Sequence, residues 1–169
     1  MNLAILHAKY RQIRCNSQVS WRVNCDAETV AKLLDAAHME NTSILTYNDE
    51  NSLSCVISIA YYSAMKDYTM IRELPSGCKT SGGRLFCTDR SGTETGFADI
   101  VFLPKRFSDK PAMVVELKCD ASADGALTQI REKHYADSLK DYKGNILLVG
   151  INYDKKTKKH TCVIERHEK

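Results

Sequence analysis

Apolar and polar positions fall into regular patterns from Asp26 onward. In "DAETVAKLLDAAHME", Val30, Leu33, Leu34 and Ala37 recur at helical spacing, with Asp26 as N-cap and an end before "ENTS". The pattern predicts a helix over 27–40. "ENSLSCVISIAYYSAMK" places Leu53, Val56, Ile57 and Ala60 on one face and predicts a second helix over 50–65, with a strand as the lesser alternative because of its β-branched residues. "DYTMIRELP" reads as a strand. "SGCKTSGGRLFCTDRSGTET" reads as a loop or an irregular hairpin, long for a compact domain. "GFADIVFLPKRFSDKPAMVVELK" then gives two strands, 97–104 and 112–118, around a polar, proline-bounded loop. Beyond it a helix over 122–140 carries Ala123, Ala126, Leu127, Ile130 and His134 on one face, and Gly144 is a suitable terminator. "NILLVGINY" is a near-continuous apolar run, expected of a strand buried on both faces. "DKKTKK" is a charged turn, and "HTCVIER" alternates as a last strand. The order predicts an α/β domain with a central mixed β-sheet flanked by helices. Residues 1–25 show no clear period and read as an extension, with one domain over 26–169.

Composition changes this picture little. The hydrophobic share is 43% and the charged share 27%, ordinary for a globular chain of 169 residues. A net charge of +3 does not by itself identify a nucleic-acid binder. No apolar stretch reaches the length of a membrane span, and "MNLAILHAKYRQ" lacks the marks of a signal peptide. The 7 cysteines include no C-x-x-C, which argues against zinc and for free thiols in a reducing, cytoplasmic setting. "GCKT" lacks the glycines that a phosphate-binding loop needs.

The chemistry lies in the charges of the hairpin. Its loop centres near 107–108, so Asp99 on the first strand faces Glu116 on the second. Glu116 and Lys118, two apart, share one face of their strand. Adjacent carboxylates in apolar surroundings repel and resist desolvation, and a hard divalent cation relieves both costs. Mg²⁺ fits, with Mn²⁺ as the alternative, held by Asp99, Glu116 and the carbonyl oxygen of Leu117. Lys118 is then placed to stabilise a developing anion or to help activate a water. That set suits phosphodiester hydrolysis. On the next helix Gln129 and Lys133 share a face, with Gln129 a candidate to touch phosphate or a metal's water. Taken singly, an E-x-K on a strand is more often a solvated ion pair.

Asp99, Glu116-x-Lys118 and a following helix with Gln129 together resemble the PD-(D/E)XK nuclease superfamily. "ENTSILTYNDENSLSCVISIAYYSA", "IRELPSG", "GFADIVFLP", "PAMVVELK", "ALTQIREKHYADSL" and "NILLVGINYDKKTKKH" resemble one branch of it, the nuclease-like domain C-terminal to an AAA-type ATPase-like domain in many bacterial proteins. The likeness spans about residues 27–166. It implies a restriction-endonuclease-like core, a Mg²⁺ site, nucleic acid as substrate with DNA ahead of RNA, and an ATPase-like partner domain or protein. It also implies that Glu50, at the start of the first core helix, joins the metal site. It implies, too, that the chain is the C-terminal piece of a longer architecture or a stand-alone form.

Two departures from the branch bear on function. Ala98 stands where the family's name has proline, and residues 78–95 are an insertion beside the site. The insertion is expected to be mobile and dispensable for folding, with Lys79, Arg84 and Arg90, together with Lys133, touching phosphate. The alternative function is a non-catalytic nucleic-acid-binding or regulatory module that keeps the nuclease fold. No feature of the sequence bears on oligomeric state.

Overall fold

The computed structural model describes residues 27–41, 50–61, 65–75, 78–81, 84–87, 96–106, 110–139 and 141–168. Two helices come first, α1 (Ala27–Asn41) and α2 (Glu50–Tyr61). The strands β1 (Tyr68–Pro75), β2 (Cys78–Ser81), β3 (Arg84–Cys87), β4 (Phe97–Pro104) and β5 (Ala112–Cys119) follow. Then come α3 (Ala123–Glu132), a 3-10 turn (Tyr135–Leu139), β6 (Ile146–Asp154) and β7 (Lys159–Arg166). Five strands form one sheet in the order β1-β4-β5-β6-β7. β5 and β6 run parallel and the other neighbours antiparallel, so the sheet is mixed. The parallel pair needs a crossover, and α3 with the 3-10 turn supplies it.

Each face of the sheet has its own core. Leu34 and Ala37 of α1 and Leu53, Val56 and Ile57 of α2 pack on Val115, Leu117, Ile151 and Tyr153. On the other face, Leu127, Ile130, Tyr135 and Leu139 pack on Val101, Val114, Ile146 and Leu148. Alternate residues of β5 and β6 serve opposite cores, which is why β6 is apolar nearly throughout. Gly150 breaks that apolar run for a steric reason. A Cβ there would lie 2.2 Å from the carbonyl oxygen of Ala123, so its absence lets the first turn of α3 lie against the sheet.

Three expectations change. The helix predicted over 122–140 ends at Glu132, because His134 takes a left-handed backbone (φ 53°) and the chain re-enters as a 3-10 turn. His134, expected on the apolar face, is therefore exposed. The helix predicted over 50–65 stops at Tyr61, and Met65 lies in a turn. Within the segment expected to be a loop or irregular hairpin, β2 and β3 pair as an antiparallel hairpin separate from the main sheet, with β2 beside the 3-10 turn. Residues 1–26 and 88–95 lie outside the described residues, so neither the extension nor the rest of the insertion has a structural account. Among the described residues no helix is long and apolar enough to cross a membrane.

Candidate active site

Asp99 sits where two strand ladders are interrupted. β1 and β4 pair through Arg72–Ile100 and again through Leu74–Ala98, but Glu73 and Asp99 between them do not pair. Glu73 has a left-handed backbone (φ 52°), a costly conformation for a residue with a side chain. Side-chain alternation shifts at the same point. Ala98 and Val101 belong to the α3-side core, whereas Ile100 and Phe102 belong to the other. On its other side, β4 pairs with β5 through Ile100–Val115, Val101–Val114 and Phe102–Met113. Continued by one step, that register sets Asp99 opposite Glu116, as the turn geometry predicts. The ladder stops there, and the Asp99 carboxylate takes over: its Oδ2 accepts the Leu117 N–H at 2.7 Å.

Glu116 is 1% exposed, the most enclosed acid among the described residues. Its Oε1 accepts from Lys118 Nζ at 3.0 Å and also from the Gln129 side-chain amide. Its Oε2 is buried without a hydrogen-bond partner. Burial first, and the neighbouring Asp99 charge second, raise the Glu116 carboxyl to about 7, while the Lys118 ammonium works in the opposite direction. Lys118 keeps 23% of its side chain exposed, so it can face both the acid and an entering ligand.

Gln129 is brought to Glu116 by the close seating of α3. Ser122 caps that helix, its Oγ accepting the Gly125 N–H at 2.9 Å, and Asn152 Oδ1 holds the Ala121 N–H at 3.0 Å. The Gln129 amide also reaches the Tyr135 hydroxyl at 3.3 Å. Tyr135 is 2% exposed, and burial holds its phenol above the usual range. Gly96 makes room for that ring, since a Cβ there would come within 2.7 Å of the hydroxyl.

Four predicted residues therefore meet in one place: Asp99, Glu116, Lys118 and Gln129. The Leu117 backbone joins them through its N–H, while its side chain packs on the opposite face. Glu50 opens α2, and its side chain is outside the described residues, as are those of Lys79 and Arg84. Arg90 is outside altogether. Lys133 is exposed at the C-cap of α3. Sequence reasoning missed Asn152 and Gly150, though a polar residue and a glycine inside an apolar strand were the available signals. The interruption at Glu73 has no sequence signal.

A divalent cation fits this donor set. The buried Oε2 of Glu116 has no hydrogen-bond partner, and burial with the adjacent Asp99 charge raises the acid's pKa despite the Lys118 ammonium. Among the described residues no group of three or more His, Cys, Asp or Glu could hold a metal. Two carboxylates are enough for Mg²⁺, which retains several waters.

Residues 88–162 match the model of the PD-(D/E)XK nuclease superfamily. The match spans Asp99, Glu116, Leu117, Lys118 and Gln129 and leaves out Glu50. The resemblance read from the sequence is thus matched at the level of the superfamily over these residues, and the likeness to the ATPase-associated branch is not part of that match. No curated protein matches the chain.

Proposed function

We propose that this domain is a Mg²⁺-dependent nuclease that hydrolyses phosphodiester bonds, with Mn²⁺ as a competent substitute and DNA ahead of RNA as substrate. One observation carries the reading: Glu116 is buried beside Asp99 with one oxygen held by Lys118 and Gln129 and the other left bare. A purely structural carboxylate would be fully satisfied or solvated. In this reading Asp99 and Glu116 hold the cation, with the Leu117 carbonyl and Glu50 as further oxygen donors. When bound, the cation supplies charge neutralisation at the phosphoryl group and a more acidic water. Lys118 swings between Glu116 and the reacting phosphate, where its charge stabilises the transition state. Gln129, steadied by Tyr135, orients Glu116 and touches phosphate or an ordered water. The ATPase-like partner and a cytoplasmic location remain part of the proposal, supported by the sequence resemblance and by the spacing of the cysteines in the sequence.

The test has two stages. Mg²⁺ or Mn²⁺ titrated into the pure protein should raise its melting temperature. Wild type should then cleave single-stranded, duplex or branched DNA, and Lys118→Ala should not. A second reading, the non-catalytic module, has one observation in its favour: Lys118 and Gln129 already supply Glu116 Oε1 with a positive charge and a hydrogen bond. Metal-independent binding of DNA with no cleavage of any substrate would select it.

A further inference from the structure

The hairpin joining β6 to β7 is a rigid basic tip. Lys155, Lys156, Lys158 and Lys159 lie within six exposed or half-exposed residues. Both legs are clamped. On one, Asp120 Oδ1 accepts the Lys155 N–H at 2.8 Å and its Oδ2 meets Lys155 Nζ at 3.3 Å. On the other, Asp35 of α1 accepts the His160 N–H at 2.9 Å, contacts His160 Nδ1 at 2.7 Å and meets Lys159 Nζ at 3.5 Å. Asp154 Oδ1 accepts the N–H groups of Lys156 at 2.7 Å and Thr157 at 3.1 Å, and its carbonyl accepts that of Lys158 at 2.8 Å. Lys158 closes the turn with φ 56°, where glycine or asparagine would fit at lower cost.

These contacts divide the lysines. Lys155 and Lys159 are neutralised by the acids that clamp them, whereas Lys156 and Lys158 form no ion pair among the described residues. The fold also fixes where they stand. β5 and β6 are parallel with Lys118 beside Asn152, so the tip leaves the sheet at the same end as the candidate active site. At about 3.3 Å per strand residue, it lies roughly 10–15 Å beyond Lys118. Phosphates on one strand of a duplex advance about 3.4 Å along the axis each, so this is a reach of roughly three or four phosphates. The turn backbone is already fixed, so binding an anion orders only the two exposed lysine side chains.

We infer that the β6–β7 hairpin tip is a contact for the nucleic-acid phosphate backbone, with Lys156 and Lys158 engaging phosphates a few nucleotides from the bond cleaved at Glu116. The inference rests on the phosphodiester reading above and deepens it, and the closing experiment separates the two. It also moves the principal phosphate contacts from the 78–95 insertion to an ordered hairpin.

The test is binding of a dye-labelled DNA duplex in EDTA, followed by anisotropy across a salt series. Each phosphate contact contributes about 0.9 to the slope of log affinity against log salt on a duplex. Lys156→Ala/Lys158→Ala should therefore reduce that slope by about 1–2 and weaken binding at low salt, and Lys156→Arg/Lys158→Arg should restore both. Both side chains are exposed, so the melting temperature should match wild type in each variant. If wild type binds DNA and the alanine variant shows the same slope, the hairpin inference is overturned and the nuclease reading survives. If wild type binds neither duplex nor single-stranded DNA, the hairpin inference is overturned, and the nuclease reading falls only if the metal-loaded protein also fails to cleave. Wild-type binding to phosphatidylserine vesicles but not to DNA would assign the tip to a membrane surface instead and overturn the inference.

Discussion

Two enclosed carboxylates on opposite faces of the sheet have opposite environments. Asp35, on the α1 side, is fully engaged by the N–H and ring of His160 and by Lys159. Burial pushes its pKa upward, but the bonds from His160 and the nearby charges prevail, and it lies below the usual carboxylate range. Glu116, on the α3 side, has one crowded oxygen and one bare oxygen, and burial with the Asp99 charge raises it to about 7. The first acid welds a helix to a strand. The second keeps one buried oxygen without a hydrogen-bond partner. On the proposed reading, the difference separates a structural carboxylate from one that holds a ligand.

The largest effects should fall on turnover. Asp99→Ala should abolish both cleavage and the melting-temperature rise with Mg²⁺. Lys118→Ala should keep that rise and lose roughly 10²–10³-fold in kcat, the scale of a removed transition-state charge contact. Equal cleavage by wild type and Lys118→Ala would place catalysis elsewhere. Mutation of Asp35 should leave the Mg²⁺-induced shift intact, which sets the two carboxylates apart.

Stability should separate them by sign. Asp35→Ala strips the buried His160 of its acceptor and should cost about 1–3 kcal/mol, read as a lower midpoint in denaturant. Glu116→Gln removes an enclosed charge while keeping an acceptor for Gln129. In EDTA at pH 8 it should melt at or above the wild-type temperature, and Mg²⁺ should no longer shift it. A loss as large as that of Asp35→Ala would make Glu116 a structural ion-pair member and end the comparison.

The pH response should be smaller because the two sides oppose each other: Glu116, raised on folding, gains stability as pH falls through about 7, whereas the histidines on the Asp35 side lose it. Burial lowers the pKa of His160, with the bond and charge of Asp35 offsetting it only in part. His38, whose ring lies 5.4 Å from that of His160, is lowered by burial and by His160 itself. A histidine depressed on folding binds its proton more readily when unfolded, so stability is fully present above its ordinary value of about 6.5. It declines as pH falls below that value toward the depressed one. In Glu116→Gln, which lacks the raised carboxyl that gains stability over the same range, the melting temperature should therefore fall between about pH 7 and pH 5, and His38→Phe on that background should flatten part of the decline. A decline of the same steepness in a His38→Phe/His160→Asn variant on the same background would show that other groups are responsible.

The smallest effect is expected at the insertion. Removing residues 78–95 should lower the melting temperature only slightly, because β2 and β3 form a sheet of their own and add no strand to the main one. A large loss would show that the contact between β2 and the 3-10 turn beneath Tyr135 supports the core.

The main strands and the first two helices were legible because burial on one or both faces imposes periods of two and 3.6 on apolar residues. The Asp99–Glu116 register was legible too, since a proline-bounded loop and a two-residue alternation leave little freedom. The end of α3 was not, because the apolar residues of the 3-10 turn continue the helical pattern while His134 alone reverses the backbone.

The sequence by itself determined the mixed α/β plan, the facing of Asp99 with Glu116 and the shared face of Glu116 and Lys118. These follow from local periodicity and the chirality of the chain. Only the tertiary structure decided that Glu116 is buried with a bare oxygen, that Gly150 lets α3 carry Gln129 to it, and that Asp35 and Asp120 hold the lysine hairpin from two sides. Those facts join residues as much as 125 positions apart. Their energies depend on solvent exclusion and close packing, which no pattern along a single strand or helix records.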